Sequence, residues 1–252
     1  MLSNIWNTVL YEPLLNALAF LVSITPGEDV GIAVVILTIL VKIILFPLSQ
    51  KSIESQAEMN ILSPELKKIK ESGASKEEQA KQTFELYKKH KVNPFSGCFL
   101  VLIQIPIIFA LYFVFLKGVN FEAGALYSFI HIPEHVNMIF FGVFDISKEN
   151  FALAILAGVS QFLQAHFMPK PILSSNTNGS IGSFSESFAK SMHMQMKYVF
   201  PVFIFVLLYT GIPGVVPPLS GAVALYWITS NLFMVGQQIY VKKEKNFKMV
   251  IK

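Results

Sequence analysis

The chain of 252 residues contains no arginine, so all 20 of its basic residues are lysines. Its single cysteine, Cys98, excludes an internal disulfide framework. His131 and His135 stand four residues apart, but Pro133 between them spoils a regular helical pair of metal ligands. There is no G-x-x-x-x-G-K-[ST] nucleotide loop, and no Ser–His or paired-carboxylate arrangement lies within the apolar stretches. We therefore predict no catalytic site, no metal and no cofactor, and thus a protein that is not an enzyme.

What the chain has in abundance is apolar sequence, at 53% of residues and a mean hydropathy of +0.55. The segment Val30–Leu48 has 19 residues with one charge, Lys42. A helix of that length crosses nearly all of a bilayer's ~30 Å hydrocarbon core. Four further apolar stretches follow it: Cys98–Leu116, Phe151–Met168, Tyr198–Val216 and Ser220–Val241. The sequence thus predicts an all-α membrane protein with five transmembrane helices in residues 29–252.

Residues 1–28 are only moderately apolar, because Glu12, Pro13 and Asn16 interrupt them. We expect an N-terminal amphipathic helix that lies in the membrane interface, with Trp6 at headgroup level. The alternative is a sixth span.

The distribution of lysines orients the spans. Nine lysines lie in 49–96, three in 169–197 and five in 242–252, against two in 117–149 and none in 1–28. Because cytoplasmic segments carry the excess of positive charge, we expect the N-terminus outside and a basic tail, 242–252, in the cytoplasm. The predicted location is a cell membrane that the chain crosses several times.

The segment 49–96 is predicted to be a cytoplasmic helical hairpin. Two runs of apolar residues at helical spacing flank Ser72-Gly73, and Ser75 with Glu78 forms a capping box at the start of the second arm. We expect the arms to pair through Leu66, Ile69, Phe84 and Tyr87.

Polar residues within the spans cluster at one depth. Lys42 lies six residues, about 9 Å, from the inner end of its predicted span, and Gln104 lies six residues from the inner end of the next. Thr38 shares a helical face with Lys42, and further polar residues within or near the inner halves are Gln161, Gln164, Ser230, Asn231 and Gln237. The outer halves are almost wholly apolar, so we predict a polar chamber in the cytoplasmic half of the membrane.

Two simpler interpretations stay open. Gln, Ser, Thr and Asn often hold membrane helices together by hydrogen bonds. Lys42 is also close enough to the predicted inner surface to extend its ammonium group to water.

Three stretches carry a resemblance to a known family. They are LTILVKIILFPLSQKS (37–52), LYKKHKVNPFSGCFLVLIQIPIIFALY (86–112) and GAVALYWITSNLFMVGQQ (221–238). The chain resembles the YidC-type membrane protein insertases, relatives of the mitochondrial and chloroplast oxidase-assembly insertases, over about residues 30–241. Two positions depart from the family pattern: Leu100 replaces a usual proline and Lys42 replaces a usual arginine. Lysine keeps the charge but loses the bidentate fork of arginine.

The resemblance implies a location in the cell membrane of a bacterium, a function and a set of partners. Nascent membrane proteins would enter the bilayer through a polar groove open to the cytoplasm, without nucleotide hydrolysis, and the protein would also aid their folding and assembly. The implied partners are nascent membrane proteins, membrane lipids, the Sec translocon and the ribosome, and no DNA. The candidate groove residues are Lys42, Thr38, Gln104, Gln161, Gln164, Trp227, Ser230, Asn231 and Gln237.

Two other functions remain as alternatives. A small transporter or channel would use Lys42 as an anion site, but it would require polar residues in the outer halves as well. A structural or assembly scaffold would use the polar residues only to hold helices together.

Overall fold

A computed structural model describes residues 6–90, 92, 96–116, 126–130, 135–168, 191 and 194–250 of the chain. Within these residues the fold is almost entirely helical. The helices are α1 (Glu12–Ile24), α2 (Val30–Ile44), α3 (Phe46–Ile61), α4 (Ser63–Glu71), α5 (Lys76–Lys89), α6 (Ser96–Leu116), α7 (Phe151–Phe167), α8 (Phe200–Tyr209) and α9 (Gly221–Val250). Short π-helical turns, Asn7–Tyr11 and Gln195–Val199, lead into α1 and α8.

The helices pack around α9 and α7. Helix α7 lies between α8 and α9, and α9 also packs against α2. Helix α1 packs against α2 and α6, and α3 contacts both α6 and α9. One apolar core runs through this bundle and includes the wholly buried side chains of Leu18, Ala33 and Ile204.

The described helices differ in their capacity to cross a membrane. The continuous helix Asn7–Ile24 is long and apolar enough, and Val30–Ile44 with Phe46–Glu58 qualifies only as a pair bent by 64°. Phe151–Phe167 and Gln195–Tyr209 are apolar but shorter, and so is Gln104–Phe115, which is one part of the longer helix α6. The architecture is therefore helical and of membrane type, while the number of five spans stays a prediction.

The N-terminal helix is more deeply packed than an interfacial helix requires. Leu18, Ala19 and Val22 are completely buried against the bundle. Asn16 is buried too, and its Oδ1 accepts the backbone N–H of Tyr127 at 2.6 Å. The interfacial placement and its alternative, a sixth span, both stay predictions.

The first predicted span, Val30–Leu48, is broken at Leu45. Helix α2 ends at Ile44, and the chain continues into α3 at an angle of 64°. The cause is Pro47, which lacks the N–H that would bond to the carbonyl of Ile43 and whose ring clashes with that carbonyl. The sequence contained this signal, and placing the end of the helix at Leu48 was wrong.

The predicted span Tyr198–Val216 also ends early. Helix α8 stops at Tyr209, and Thr210 caps it with its N–H bonded to the carbonyl of Val206 at 2.8 Å. Gly211 then adopts a φ of +69°, and a Cβ there would lie 2.4 Å from the carbonyl oxygen of Val216. Only glycine fits this turn, and its left-handed backbone conformation ends the helix.

Two other helix ends differ from the prediction as well. Helix α7 ends at Phe167, one residue before the predicted end. Helix α9 runs to Val250, so most of the segment predicted as a basic tail continues the last helix.

A short β-hairpin covers the start of α2. Ile139–Phe140 pairs with Phe144–Asp145 in antiparallel register. Asp29 joins the hairpin to the helix, since its Oδ1 accepts the N–H of Ile32 and its Oδ2 accepts that of Phe141, both at 3.1 Å. The ring of Phe140 rests on Gly31, where a Cβ would lie 2.3 Å from a ring carbon. The sequence did not predict this hairpin.

Helices α4 and α5 pack together through a small apolar cluster separate from the main core. Its buried members are Leu62, Leu66, Leu86 and Val92, with Ile69 and Tyr87 packed against them. Burial raises the pKa of the Tyr87 phenol. As predicted, Ser75 caps α5 by accepting the N–H of Glu78 at 3.3 Å.

The prediction that Phe84 belongs to this cluster is wrong. Phe84 is 69% exposed. Leu86 takes the inward position instead, because the buried face of α5 is rotated relative to the face inferred from the spacing of Ala80, Phe84 and Tyr87.

The contact between Gly31 and Phe140 can be tested with a matched pair of variants. Gly31→Ala should lower the free energy of unfolding by about 1–3 kcal/mol, because the added methyl group displaces the ring. Gly236→Ala is the control, since a Cβ at this other helical glycine meets nothing within 4 Å. It should be neutral or stabilise by up to about 1 kcal/mol. Denaturant titration in mixed micelles gives both values, and a Gly31→Ala protein as stable as the parent would contradict the contact.

The pairing of α4 with α5 predicts opposite results for two similar changes. Leu66→Asp buries a carboxylate without a partner and should separate the helices, whereas Phe84→Asp places the same charge at an exposed position. The measurement is the rate of limited proteolysis at the turn 72–75. Leu66→Asp should speed cleavage severalfold and Phe84→Asp should not, and equal rates in the two variants would exclude this packing.

Candidate functional site

Lys42 and Gln104, which the sequence placed at the same depth, are in contact. The Nζ of Lys42 donates to Gln104 Oε1 at 3.0 Å and thereby joins α2 to α6. Lys42 is only 7% exposed, and the described part of the chain provides no ion pair to it. The ammonium group is therefore a buried cation whose hydrogen-bond acceptor is a neutral amide.

The position of Lys42 in α2 favours a cation. It lies in the last turn of the helix, one turn before the break at Leu45. The unpaired carbonyls at a helix C-terminus carry partial negative charge, which stabilises a nearby ammonium group. The proline that ends α2 thus also brings this negative end close to Lys42.

A second polar group joins α7 to α9, with Gln161 at its centre. Gln161 Oε1 accepts from Trp227 Nε1 at 2.9 Å and from Asn231 Nδ2 at 3.2 Å. Its Nε2 donates to Gln164 Oε1 at 3.2 Å. Four residues predicted for the site are thus brought together in one hydrogen-bonded network.

Ser160 belongs to the same network, although the sequence analysis did not single it out. Its Oγ accepts from Asn231 Nδ2 at 3.0 Å and donates to the carbonyl of Ala157 at 2.8 Å. The signal was available, because Ser160 precedes Gln164 by four residues and so lies on the same face of α7.

A third polar contact is at the bend between α2 and α3. Gln237 Oε1 accepts from Ser49 Oγ at 2.9 Å, and its Nε2 donates to the carbonyl of Phe46 at 3.2 Å. The last helix is thereby bound to the point where the chain changes direction.

The remaining predicted residues, Thr38 and Ser230, are buried, and no hydrogen bond between described residues joins them to these contacts. Thr38 donates to the carbonyl of Val34 in its own helix at 2.6 Å. Ser230 is buried on α9 next to Asn231. The described hydrogen bonds therefore form separate contacts between helix pairs, and the grouping of all nine residues in one chamber stays a prediction.

Metal ligands are not grouped in the part of the chain that the structure describes: no three His, Cys, Asp or Glu side chains there are placed to hold an ion. His131, one of the two histidines considered in the sequence, lies outside the described residues.

Comparison with known proteins identifies the family. Residues 20–248 match the family described as 60Kd inner membrane protein. A "Membrane protein insertase YidC" of Fusobacterium nucleatum is 34% identical over 238 residues, which cover 93% of this chain and 98% of that protein. The protein of the same name in Francisella tularensis subsp. novicida is 35% identical over 211 residues. That match covers 82% of this chain but only 31% of the longer relative.

A solved structure supports the fold. The chain superposes with a TM-score of 0.57 on "Active YidC insertase crystal structure with the first transmembrane domain resolved", at 22% identity, over 92% of this chain and 45% of that one. The chain belongs to the YidC-type membrane protein insertase family, a family of bacterial inner membrane proteins. The resemblance found in its three motifs is thereby confirmed.

The α7–α9 network can be tested by removing its central acceptor. Gln161→Leu leaves Trp227 Nε1 and Asn231 Nδ2 without this acceptor and should lower the free energy of unfolding by about 1–3 kcal/mol. In a double-mutant cycle with Asn231→Leu, we expect a coupling energy of about 1 kcal/mol. Gln82, whose hydrogen bond to Glu78 is exposed to solvent, is changed to alanine as the control and should shift stability by less than about 0.5 kcal/mol. Strict additivity of Gln161→Leu and Asn231→Leu would contradict the network.

Proposed function

We propose that this protein inserts nascent membrane proteins into the bilayer through a polar groove that opens to the cytoplasm. The observation that carries the proposal is the buried ammonium group of Lys42, which has a neutral partner, Gln104, and no ion pair among the described residues. Burying a charge of this kind within the membrane costs free energy. Its presence therefore indicates a function there. The names of the relatives favour insertion as that purpose.

The role we assign to Lys42 is attraction of acidic groups. At the intermediate dielectric of a partly hydrated groove, two opposite charges attract more strongly than in bulk water. An acidic tail of a substrate would therefore gain energy on approaching Lys42, and the amide of Gln104 would remain as a hydrogen-bond acceptor for the ammonium group. The groove would shorten the apolar distance that the tail has to cross, and no nucleotide would be needed.

The apolar part of the substrate needs a different surface. Ile105, Phe109 and Phe113 recur every four residues along α6 and are all exposed. They form an apolar stripe beginning next to Gln104, the partner of Lys42. A substrate could place its polar tail near Lys42 while its hydrophobic segment passes along this stripe into lipid.

The proposed topology is that predicted from the lysines. The α4–α5 pair would lie in the cytoplasm with the C-terminus, and the β-hairpin would lie outside with the N-terminus. Exposed lysine and glutamate side chains on α4 and α5, such as Lys67 and Glu71, suit a solvated location. Partnership with the Sec translocon and with the ribosome is part of the proposal, as is help with folding of inserted proteins.

An assembly scaffold is the second candidate, and the hydrogen bonds favour it to some extent. Contacts such as Trp227 with Gln161 and Ser49 with Gln237 would be made by any tightly held helix bundle. A scaffold, however, gains nothing from a buried cation paired with an amide, so Lys42 distinguishes the two functions.

The charge of Lys42 therefore gives the decisive test. Lys42→Met keeps the length of the side chain but removes the charge, and it should reduce insertion of a single-span substrate with an acidic outer tail severalfold. Lys42→Arg should be tolerated and Lys42→Glu should be worst, because it repels the tail. A substrate whose tail is neutral should be affected much less by all three changes. Insertion in vivo is measured by protease protection of the tail.

Lys148→Met is the control, because it removes the charge of an exposed lysine that lies 3.4 Å from Asp145. It should leave insertion of both substrates unchanged. If the Lys42→Met protein inserts the acidic-tailed substrate at the parent rate, the proposed role of the charge is excluded. The assembly scaffold would then be the better-supported function.

A further inference from the structure

The outer surface of the bundle contains an open apolar groove between α7 and α8. Its volume is about 400 Å³. Ile155, Val159 and Phe162 of α7 form one wall, and Val202 and Phe205 of α8 contribute to the other. None of these residues takes part in the polar contacts of the candidate site. Helix α7 thus presents its polar residues to α9 and an apolar groove to the surroundings.

One end of the groove carries a positive charge. Lys197, in the π-helical turn before α8, is the only charged residue among the described residues that line it. Its Nζ lies 5.8 Å from the centre of the Phe162 ring and 5.3 Å from that of Tyr198. Contacts with two aromatic rings hold the ammonium group at the mouth of the groove.

The shape and the charge together specify the ligand. From Lys197 to Phe205 the groove follows eight residues of helix, roughly 12 Å. A single turn of a transmembrane helix about 10 Å wide already fills roughly 400 Å³. The groove is therefore too small to hold a transmembrane helix of several turns. A flexible acyl chain fits an elongated apolar groove, and a phosphate group complements a lysine at its end.

We propose that this groove binds one anionic phospholipid, with its phosphate at Lys197 Nζ and one acyl chain between α7 and α8. Phe162 and Tyr198 position the ammonium group. The lipid would fill the surface between two helices on the side of α7 opposite the network around Gln161. This site is distinct from the proposed insertion groove and does not depend on insertion activity.

The experiment measures retained lipid on the purified full-length protein. The protein in detergent is mixed with equal amounts of phosphatidylglycerol and phosphatidylcholine that have the same acyl chains, and native mass spectrometry counts the lipids that stay bound. The parent should retain one phosphatidylglycerol in preference to phosphatidylcholine. Lys197→Gln should reduce this preference about fivefold while retention of phosphatidylcholine stays the same.

Filling the groove should have a different effect from removing its charge. Val159→Trp places an indole where the acyl chain would lie and should reduce retention of both lipids. Val202→Trp fills the groove from the other helix and provides a second variant in case the first fails to fold. Folding of each variant is checked by circular dichroism and by elution as a single species.

Two controls match these changes. Lys243→Gln removes an exposed lysine on α9 away from the groove, and Leu163→Trp adds the same indole at an exposed position of α7 that does not line it. Both should behave like the parent. If Lys243→Gln and Lys197→Gln lose the preference for phosphatidylglycerol equally, that preference comes from general surface charge. The proposed lipid site would then be wrong.

Two further outcomes would also overturn the proposal. One is undiminished lipid retention by folded Val159→Trp and Val202→Trp proteins. The other is displacement of the lipid by an uncharged apolar helical peptide, equally well from the parent and from the Lys197→Gln protein. That result would assign the groove to a substrate segment. Because no measurement here uses substrate insertion, failure of this site and failure of the proposed function can be told apart.

Discussion

The hydrogen bond between Lys42 and Gln104 is the contact on which the arrangement of the polar site depends. It places a positive charge inside the bundle and gives it a neutral acceptor at 3.0 Å. Two features make this tolerable: the ammonium group lies at the negative end of α2, and Gln104 supplies an oxygen without cancelling the charge. A carboxylate in place of Gln104 would hold Lys42 more firmly and leave less charge for any other anion. The pairing of Lys42 with an amide therefore leaves its charge available to other anions, but it stabilises the bundle less than an ion pair would.

The other polar contacts serve mainly to fix the helices around that charge. Gln161 uses both its oxygen and its nitrogen within the α7–α9 network, and Gln237 does so at the bend after α2. Amide side chains suit this role because each offers a donor and an acceptor and can bridge two helices at once. Consequently α9 is bound to α7 along one side and to the α2–α3 bend on another, and it forms the central support of the site.

The sequence predicted the pairs whose geometry follows from simple counting. Lys42 and Gln104 were matched by counting a fixed rise per residue from each predicted inner end, and the match held although α2 ends at Ile44 rather than at Leu48. The family was recognisable because its motifs coincide with helix ends and polar positions. Phe84 was misplaced because two faces of a short charged helix differ little in their apolar content. The β-hairpin at Phe140 was missed because its position depends on Gly31, more than a hundred residues away, and no local pattern reports such a contact.

The bend at Leu45 determines how far the chain advances along the axis of α2 after that helix ends. A helix that turned through 64° advances along the direction of α2 by less than half of its own length. The thirteen residues of Phe46–Glu58 therefore carry the chain only roughly 9 Å beyond α2 in that direction, where a straight helix would carry it roughly 20 Å. Helix α3 therefore runs largely sideways from the end of α2. How far Glu58 lies beyond α2 along the axis of α2 thus depends on one angle, which a single proline determines.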